Sequence, residues 1–395
     1  MKALKNYFDK IKPDFEEGGK YHAFRSVYEG FESFLFVPNA TSRSGVHIHD
    51  SIDSKRIMSM VVIALIPAML FGMYNVGYQH FRAIGQLDAG FWPLFGYGFL
   101  AVLPKILVSY VVGLGIEFVA AQWKHEEIQE GYLVTGLLVP LIVPVECPLW
   151  IIAVAVAFSV VFCKEVFGGT GMNIFNPALV ARAFMFFAYP TTMSGDAVWV
   201  AKEAIFGIGA GHVVDGFSGA TALGQAATTA SATGFPAFHM DMVTGLIPGS
   251  IGETSVIAIL LGAVLLLWTG VASWKTMLSV FVGGALVGIL FNAIGPDTAV
   301  ARMPWYEHLC LGGFCFGAVF MATDPVTSAR TETGKYWYGF LIGGMAIVIR
   351  VLNPGFPEGM MLAILLMNVF APLIDHFVIQ RNINRRAKRA IKFNN

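Results

Sequence analysis

From Ile57 onward the chain is a succession of apolar runs parted by short polar stretches, and ten of those runs approach the roughly 20 residues that cross a bilayer as a helix. They begin near Ile57, Gly98, Val134, Leu149, Phe175, Ser255, Thr276, Leu309, Gly339 and Met360. The third and fifth are short, interrupted or bounded by Pro140, Pro144 and Pro177. Broken segments at membrane depth line a site inside a bundle rather than face lipid. The pattern predicts an all-α integral membrane protein of about ten transmembrane helices. It divides into an N-terminal extension (1–56), a five-helix half (57–189), a long loop rich in small residues (190–253), a second five-helix half (254–380) and a basic tail (381–395). Asn176-Pro177 opens the fifth run and Asn353-Pro354 precedes the tenth from the other side. Pro144 follows the third run and Pro325 the eighth. Two inverted five-helix repeats with broken helices give such a pattern.

Composition agrees. Hydrophobic residues make up 56% of the chain and charged residues 13%, against about 25% charged in soluble domains. A formal net charge of zero implies no nucleic-acid partner. The 33 Phe and 43 Gly suit helices packed closely in lipid. Cys147, Cys163, Cys310 and Cys315 lack zinc or iron–sulfur spacing and read as core residues. No cleavable signal peptide is expected in the polar first 56 residues.

Basic residues set the orientation. Nine of the 26 lie in residues 1–56 and six between Arg381 and Lys392. An even number of spans puts both termini on the cytoplasmic side, together with Lys124, Lys164, Lys275, Arg330 and Lys335. The 190–253 loop is then periplasmic.

That loop contains Asp215-Gly216-Phe217-Ser218-Gly219-Ala220-Thr221. It resembles the flavinylation signature D-x-x-[ST]-G-A-[ST], whose last hydroxyl residue carries FMN through a phosphoester bond. Small neighbours let a modifying enzyme and a flavin ring approach the backbone. Asp215, Gly216, Ser218, Gly219 and Ala220 would serve recognition and close approach, and Thr221 attachment.

Further stretches carry a wider resemblance. They are Asp53-Ser54-Lys55-Arg56-Ile57-Met58, Lys164-Glu165-Val166-Phe167-Gly168-Gly169-Thr170-Gly171, Asn176-Pro177-Ala178-Leu179 with Arg182-Ala183-Phe184, Met321-Ala322-Thr323-Asp324-Pro325, Pro357-Glu358-Gly359-Met360 and Ala371-Pro372-Leu373-Ile374-Asp375-His376. With the long N-terminus and basic C-terminus, the chain resembles the B-subunit family (NqrB) of the bacterial sodium-translocating NADH:quinone oxidoreductases. The related RnfD component of Rnf electron-transport complexes has the flavin motif but a much shorter N-terminal extension. The stretch 80–97 is shorter than the family pattern. The resemblance implies a six-subunit inner-membrane complex with five partner subunits. Electrons pass from NADH through flavins to ubiquinone or menaquinone while Na+ moves outward. It further implies covalent FMN at Thr221, placed by a flavin-attaching transferase, with riboflavin and a quinone site on this subunit. NADH oxidation belongs elsewhere in such a complex, and no convincing Rossmann G-x-G-x-x-G segment occurs here.

Other residues invite roles of their own. Glu117, in an apolar run, marks an ion or proton path, or is an interfacial acid paired with a Lys such as Lys124. Glu117, Asp324 and Asp375 are candidate oxygen ligands along a sodium path, with Glu117 and Asp375 the candidate Na+ contacts. Thr-Asp-Pro at 323–325 equally reads as a turn or cap. Glu165 beside Lys164 reads as a surface pair. The loop Gly168–Asn173 lacks the G-x-x-x-x-G-K-[ST] spacing of a nucleotide loop. It could instead bring Asn173 or Asn176 to a flavin ring, which makes it the candidate riboflavin site. Gly113 and Gly115 would let a quinone ring near the backbone. The aromatic N-terminal segment would cover a quinone entrance or dock partner subunits. The competing class is a channel or secondary transporter, which also uses broken helices and buried acids.

Overall fold

The computed structural model describes residues 2–16, 18–36, 45, 54–124, 131–214, 216–229, 239–353 and 355–394. Asp215 of the flavin motif and Pro354 of the second Asn-Pro pair lie outside the described residues. The protein is an all-α membrane protein. Among the described residues the only β-pairing is an isolated bridge, Ile205 with Ile208.

Two short helices, α1 (Lys2–Phe15) and α2 (Arg25–Leu35), precede the bundle. Phe15 stacks on Tyr28 with ring centroids 5.0 Å apart, and the Tyr28 hydroxyl donates to the Phe8 carbonyl at 2.9 Å. Ser26 Oγ donates to Gln122 Oε1 at 2.8 Å, which ties this unit to the end of the second span.

The first half comprises α3 (Ser54–Ala83), α4 (Phe91–Lys124), α5 (Tyr132–Leu141), α6 (Leu149–Ser159) and α7 (Pro177–Ala188). A seven-residue helix α8 (Ala222–Thr228) follows Thr221. The second half comprises α9 (Val256–Trp268), α10 (Trp274–Ile294), α11 (Trp305–Cys310) and a broken continuation through Phe314–Met321, then α12 (Glu332–Leu352) and α13 (Met360–Asn394). Among the described residues six helices are long and apolar enough to cross a membrane, and α5, α7 and α9 are shorter apolar helices. α4 and α12 begin seven residues before the expected Gly98 and Gly339. Apolarity is a poor guide to a helix end: the aromatic Phe91–Phe95 and the capped, charged Thr331–Lys335 both continue the helices.

The two halves share part of their packing order, although α3 packs closely along α4 whereas α9 and α10 do not pack closely on each other. α4 contacts α5 and α6, and α6 contacts α7; likewise α10 contacts α11 and α12, and α12 contacts α13. Equivalent first helices (α3, α9) and last helices (α7, α13) meet each other. The broken segments end on opposite sides. The tip of α5 is held by Gly252 N donating to the Leu141 carbonyl at 2.7 Å, near the Thr221 side. The tip after Met321 instead reaches Asn176. Two inverted halves give this arrangement.

Small residues make the close approaches. A Cβ on Gly113 would fall inside the Tyr132 ring, and Cβ atoms on Gly283 and Gly343 would strike the backbone of the facing helix. Hydrocarbon offers no hydrophobic drive for helix association, so van der Waals packing of this kind holds the bundle together.

Candidate functional site

Two polar clusters stand at opposite faces of the bundle. The helix α12 links them: Thr331 at its start is bonded to Asp375, and Arg350 near its end is bonded to Leu311 and Gly312. Its 21 residues span about 32 Å.

At the face away from Thr221, a pocket of about 90 Å3 is lined by Lys164, Thr170, Asn173, Asn176, Thr323 and Asp324, among others. Asn176 caps α7: its Oδ1 accepts from the N–H of Ala178 at 3.0 Å and Leu179 at 3.4 Å, and Pro177 occupies the first turn. Its Nδ2 donates to Asp324 Oδ2 at 3.1 Å. Asp324 also closes its own turn, accepting from Val326 N at 3.0 Å and Thr327 Oγ1 at 3.1 Å. Asn173 Nδ2 donates to the Phe175 carbonyl at 2.9 Å.

Two π-helical segments, Val160–Lys164 and Gly317–Met321, run up to this pocket. Such segments re-aim the side chains that follow and recur at functional sites. The first turns Lys164 inward, where its Nζ donates to Glu117 Oε1; their side chains are 5% and 3% exposed. The partner of Glu117 is therefore Lys164 and not Lys124. Lys124 instead pairs with Glu165 at 2.8 Å, so Glu165 does not pair with its neighbour in sequence.

The structure thus gathers Glu117 (through Lys164), Asn173, Asn176 and Asp324 at one pocket. Asp375 stands apart. It clamps the loop before α12, accepting from the N–H of Arg330 at 2.8 Å and Thr331 at 2.9 Å and from the Thr331 hydroxyl at 2.5 Å. Among the described residues no three His, Cys, Asp or Glu side chains gather as a metal site. Glu117 and Asp375 each have partners of their own, Lys164 for the first and the loop before α12 for the second. The buried Thr170 hydroxyl has no hydrogen-bond partner and lines the pocket beside Asn173 and Asn176. Those groups suit the polar edge of a flavin. The pocket is smaller than the roughly 150 Å3 that encloses benzene, so a three-ring system would enter only edge-first from its open side. Gly113 offers no approach to a quinone, because Tyr132 fills its face; Gly115 points elsewhere and has nothing within 4 Å of a Cβ.

At the Thr221 face the motif has a fixed shape. Gly216 has φ +80°, a left-handed conformation that favours glycine. Ser218 Oγ accepts from Ala220 N at 3.3 Å. A Cβ on Gly219 would lie 2.7 Å from the Asp196 carbonyl oxygen, and Ala220 is buried. Half-buried Thr221 caps α8, its Oγ1 accepting from Gly224 N at 3.1 Å. A phosphoester oxygen keeps lone pairs, so this bond survives esterification. Thr221 lines a small pocket with Ser250, Glu253, Gly312, Gly313 and Glu358. That pocket holds about 30 Å3, too little for a flavin ring, so any ring borne by Thr221 would lie outside it.

Beneath this pocket runs an ionic network that no motif in the sequence announces. Arg182 donates to Glu253 at 3.1 Å, to Glu358 and to the Ile142 carbonyl. Arg350, fully buried, donates to the carbonyls of Glu358 at 2.7 Å, His308 at 2.5 Å and Leu311 at 2.8 Å, and lies over Phe314 at 5.6 Å. Two guanidinium groups and two carboxylates thus balance within one interior cluster. A weaker signal does exist: Arg182 and Arg350 each interrupt an apolar run, and a charge at such depth is expensive without a partner.

A profile of the NQR2, RnfD, RnfE family matches residues 41–384. The chain belongs to that family. Among its relatives, the B-subunit of the Na(+)-translocating NADH-quinone reductase of Chromohalobacter salexigens is 47% identical, over 98% of this chain and 97% of the relative. Proteins of the same name from Pseudomonas aeruginosa and Azotobacter vinelandii are 46% and 45% identical, again over 98% of this chain and over 99% and 100% of theirs.

Proposed function

We propose that this chain is the membrane-embedded B-subunit of a Na+-translocating NADH–quinone reductase and that Thr221 carries FMN as a phosphoester. The geometry of Thr221 carries the reading: a half-buried hydroxyl at the end of a tightly fixed small-residue loop, with its Oγ1 already accepting a bond that the ester retains. The near-complete coverage of the B-subunit relatives includes the long N-terminal segment, which favours this reading over an RnfD-type chain. We place the 190–253 loop in the periplasm and both termini in the cytoplasm of a bacterial inner membrane. The support is that Lys275, Arg330 and Lys335 lie at the end of α12 remote from Thr221, the end to which the basic tail also runs.

When bound, flavin supplies one-electron relay chemistry, and the protein supplies tether, surroundings and ion path. Asn173, Asn176 and the free Thr170 hydroxyl would hold a riboflavin edge. Glu117, Asp324 and Asp375 would mark successive polar stations for the Na+ cargo, each already held by a partner that the ion would exchange with. Ubiquinone or menaquinone would approach along the lipid-facing side of α4 near Gly115. The five companion subunits and the transferase follow from the same reading.

The test is in-gel flavin fluorescence of the denatured chain, expressed with the flavin-attaching transferase. Wild type should fluoresce, Thr221→Ala should be dark and Thr221→Ser should keep part of the signal. A dark wild-type band would remove the reading and favour a transporter. Sodium-stimulated quinone reduction by the assembled complex then separates the quinone reductase from an Rnf complex.

A further inference from the structure

Helices α12 and α13 run antiparallel and leave a groove of about 350 Å3 on the face away from Thr221. One wall carries Trp337 and Leu341, at helical spacing on α12. The other carries Ile374 and Phe377, then Arg381 and Arg385, on α13. Trp337 and Phe377 are 59% and 65% exposed, so no described part of the chain covers the apolar wall.

The groove changes character at a definite depth. Arg381 is 21 residues from Met360, about 31 Å along the helix axis. That matches the thickness of a hydrocarbon core. Ile374 and Phe377 therefore lie at acyl-chain depth and the arginines at head-group depth, with Trp337 near the boundary where indoles concentrate. Arg381 and Arg385, one turn apart, share one side of α13. Both are exposed, and neither has a carboxylate partner among the described residues.

We propose that this groove is a binding site for an anionic phospholipid. The phosphate would sit against the Arg381 and Arg385 guanidinium groups and one acyl chain along Trp337, Leu341 and Phe377. Basic pockets between transmembrane helices at the membrane surface recognise such head groups. A free phosphate would use the arginines but leave the apolar wall bare. A second copy docked by twofold symmetry would set arginine against arginine. A phospholipid satisfies both parts, and the bilayer supplies it.

The experiment is native mass spectrometry of the full chain in mild detergent, titrated with phosphatidylglycerol or phosphatidylcholine of identical acyl chains. Wild type should retain phosphatidylglycerol preferentially. The double variant R381Q/R385Q should lose about 30-fold in phosphatidylglycerol affinity, since each arginine near an anionic surface contributes about fivefold, and should bind phosphatidylcholine unchanged. Trp337→Ala should weaken both lipids alike, an independent check on the apolar wall. Equal binding of the two lipids by wild type would overturn the proposal, as would full phosphatidylglycerol retention by R381Q/R385Q. So would a double variant that keeps its lipids but no longer co-purifies with partner chains, because the groove would then be a protein seat.

Discussion

Lys164→Met is a direct probe of the bundle interior. The Lys164–Glu117 pair is almost fully enclosed, with 5% and 3% of the side chains exposed. Lys124 cannot replace Lys164 beside Glu117, because it is taken by Glu165 at 2.8 Å. Removing Lys164 alone strands a carboxylate, which costs about 3–5 kcal/mol. Glu117→Gln alone strands an ammonium and costs a similar amount. Removing both together with Lys164→Met/Glu117→Gln takes away the pair and its desolvation penalty, and such replacements are often near neutral. The four proteins form a double-mutant cycle with an interaction energy of at least about 3 kcal/mol, more than a hundredfold in the folding equilibrium. Equilibrium unfolding in mixed detergent–SDS micelles, followed by helical circular dichroism, reads it. Single losses under about 1 kcal/mol that simply add would refute the enclosed pair. The double variant also separates structure from transport. It should assemble, yet if Glu117 hands Na+ onward, the complex should lose sodium-stimulated quinone reduction.

Two further predictions use the same unfolding assay. Gly113→Ala pushes a methyl group into the Tyr132 ring and should cost about 1–3 kcal/mol, whereas Gly115→Ala meets nothing within 4 Å and should stay within about 0.5 kcal/mol of wild type or gain stability; equal effects would mean that the two glycines do not differ in packing. Glu253→Gln leaves Arg182 its bond to Glu358 and should cost about 2 kcal/mol, while Glu253→Gln/Glu358→Gln strands the guanidinium and should cost about 3–5 kcal/mol or more; a double variant no worse than the single would show that Glu358 is not a real partner.

The helices are legible in the sequence because hydrocarbon imposes one demand, about 20 apolar residues with their backbone satisfied internally, and Pro140 and Pro177 announce where that demand is broken. The π segments are not legible. A single inserted residue leaves no mark in composition, and Val160–Lys164 reads as plain continuation of α6. That is why Lys164 reads as a surface partner for Glu165. Adjacent residues on a helix point about 100° apart, so one turns toward Glu117 and the other toward Lys124. The chemistry proposed for Thr221 rests on its motif, but the floor beneath it has no such signal, since Arg182, Glu253, Arg350 and Glu358 are scattered over 176 residues. Arg182 and Arg350 alone are liabilities in their apolar runs, and only the fold shows that the loop acids Glu253 and Glu358 meet them. The same accounting separates the two faces. Near Thr221 Arg182 is paired with Glu253 and Glu358 and every Arg350 nitrogen is already bonded, while the ring nitrogens of adjacent His308 and Oε2 of Glu307 are buried without a hydrogen-bond partner. Around Asn176 the unpaired Thr170 hydroxyl instead borders an open pocket, and that opening is what supports placing a ligand or ion there.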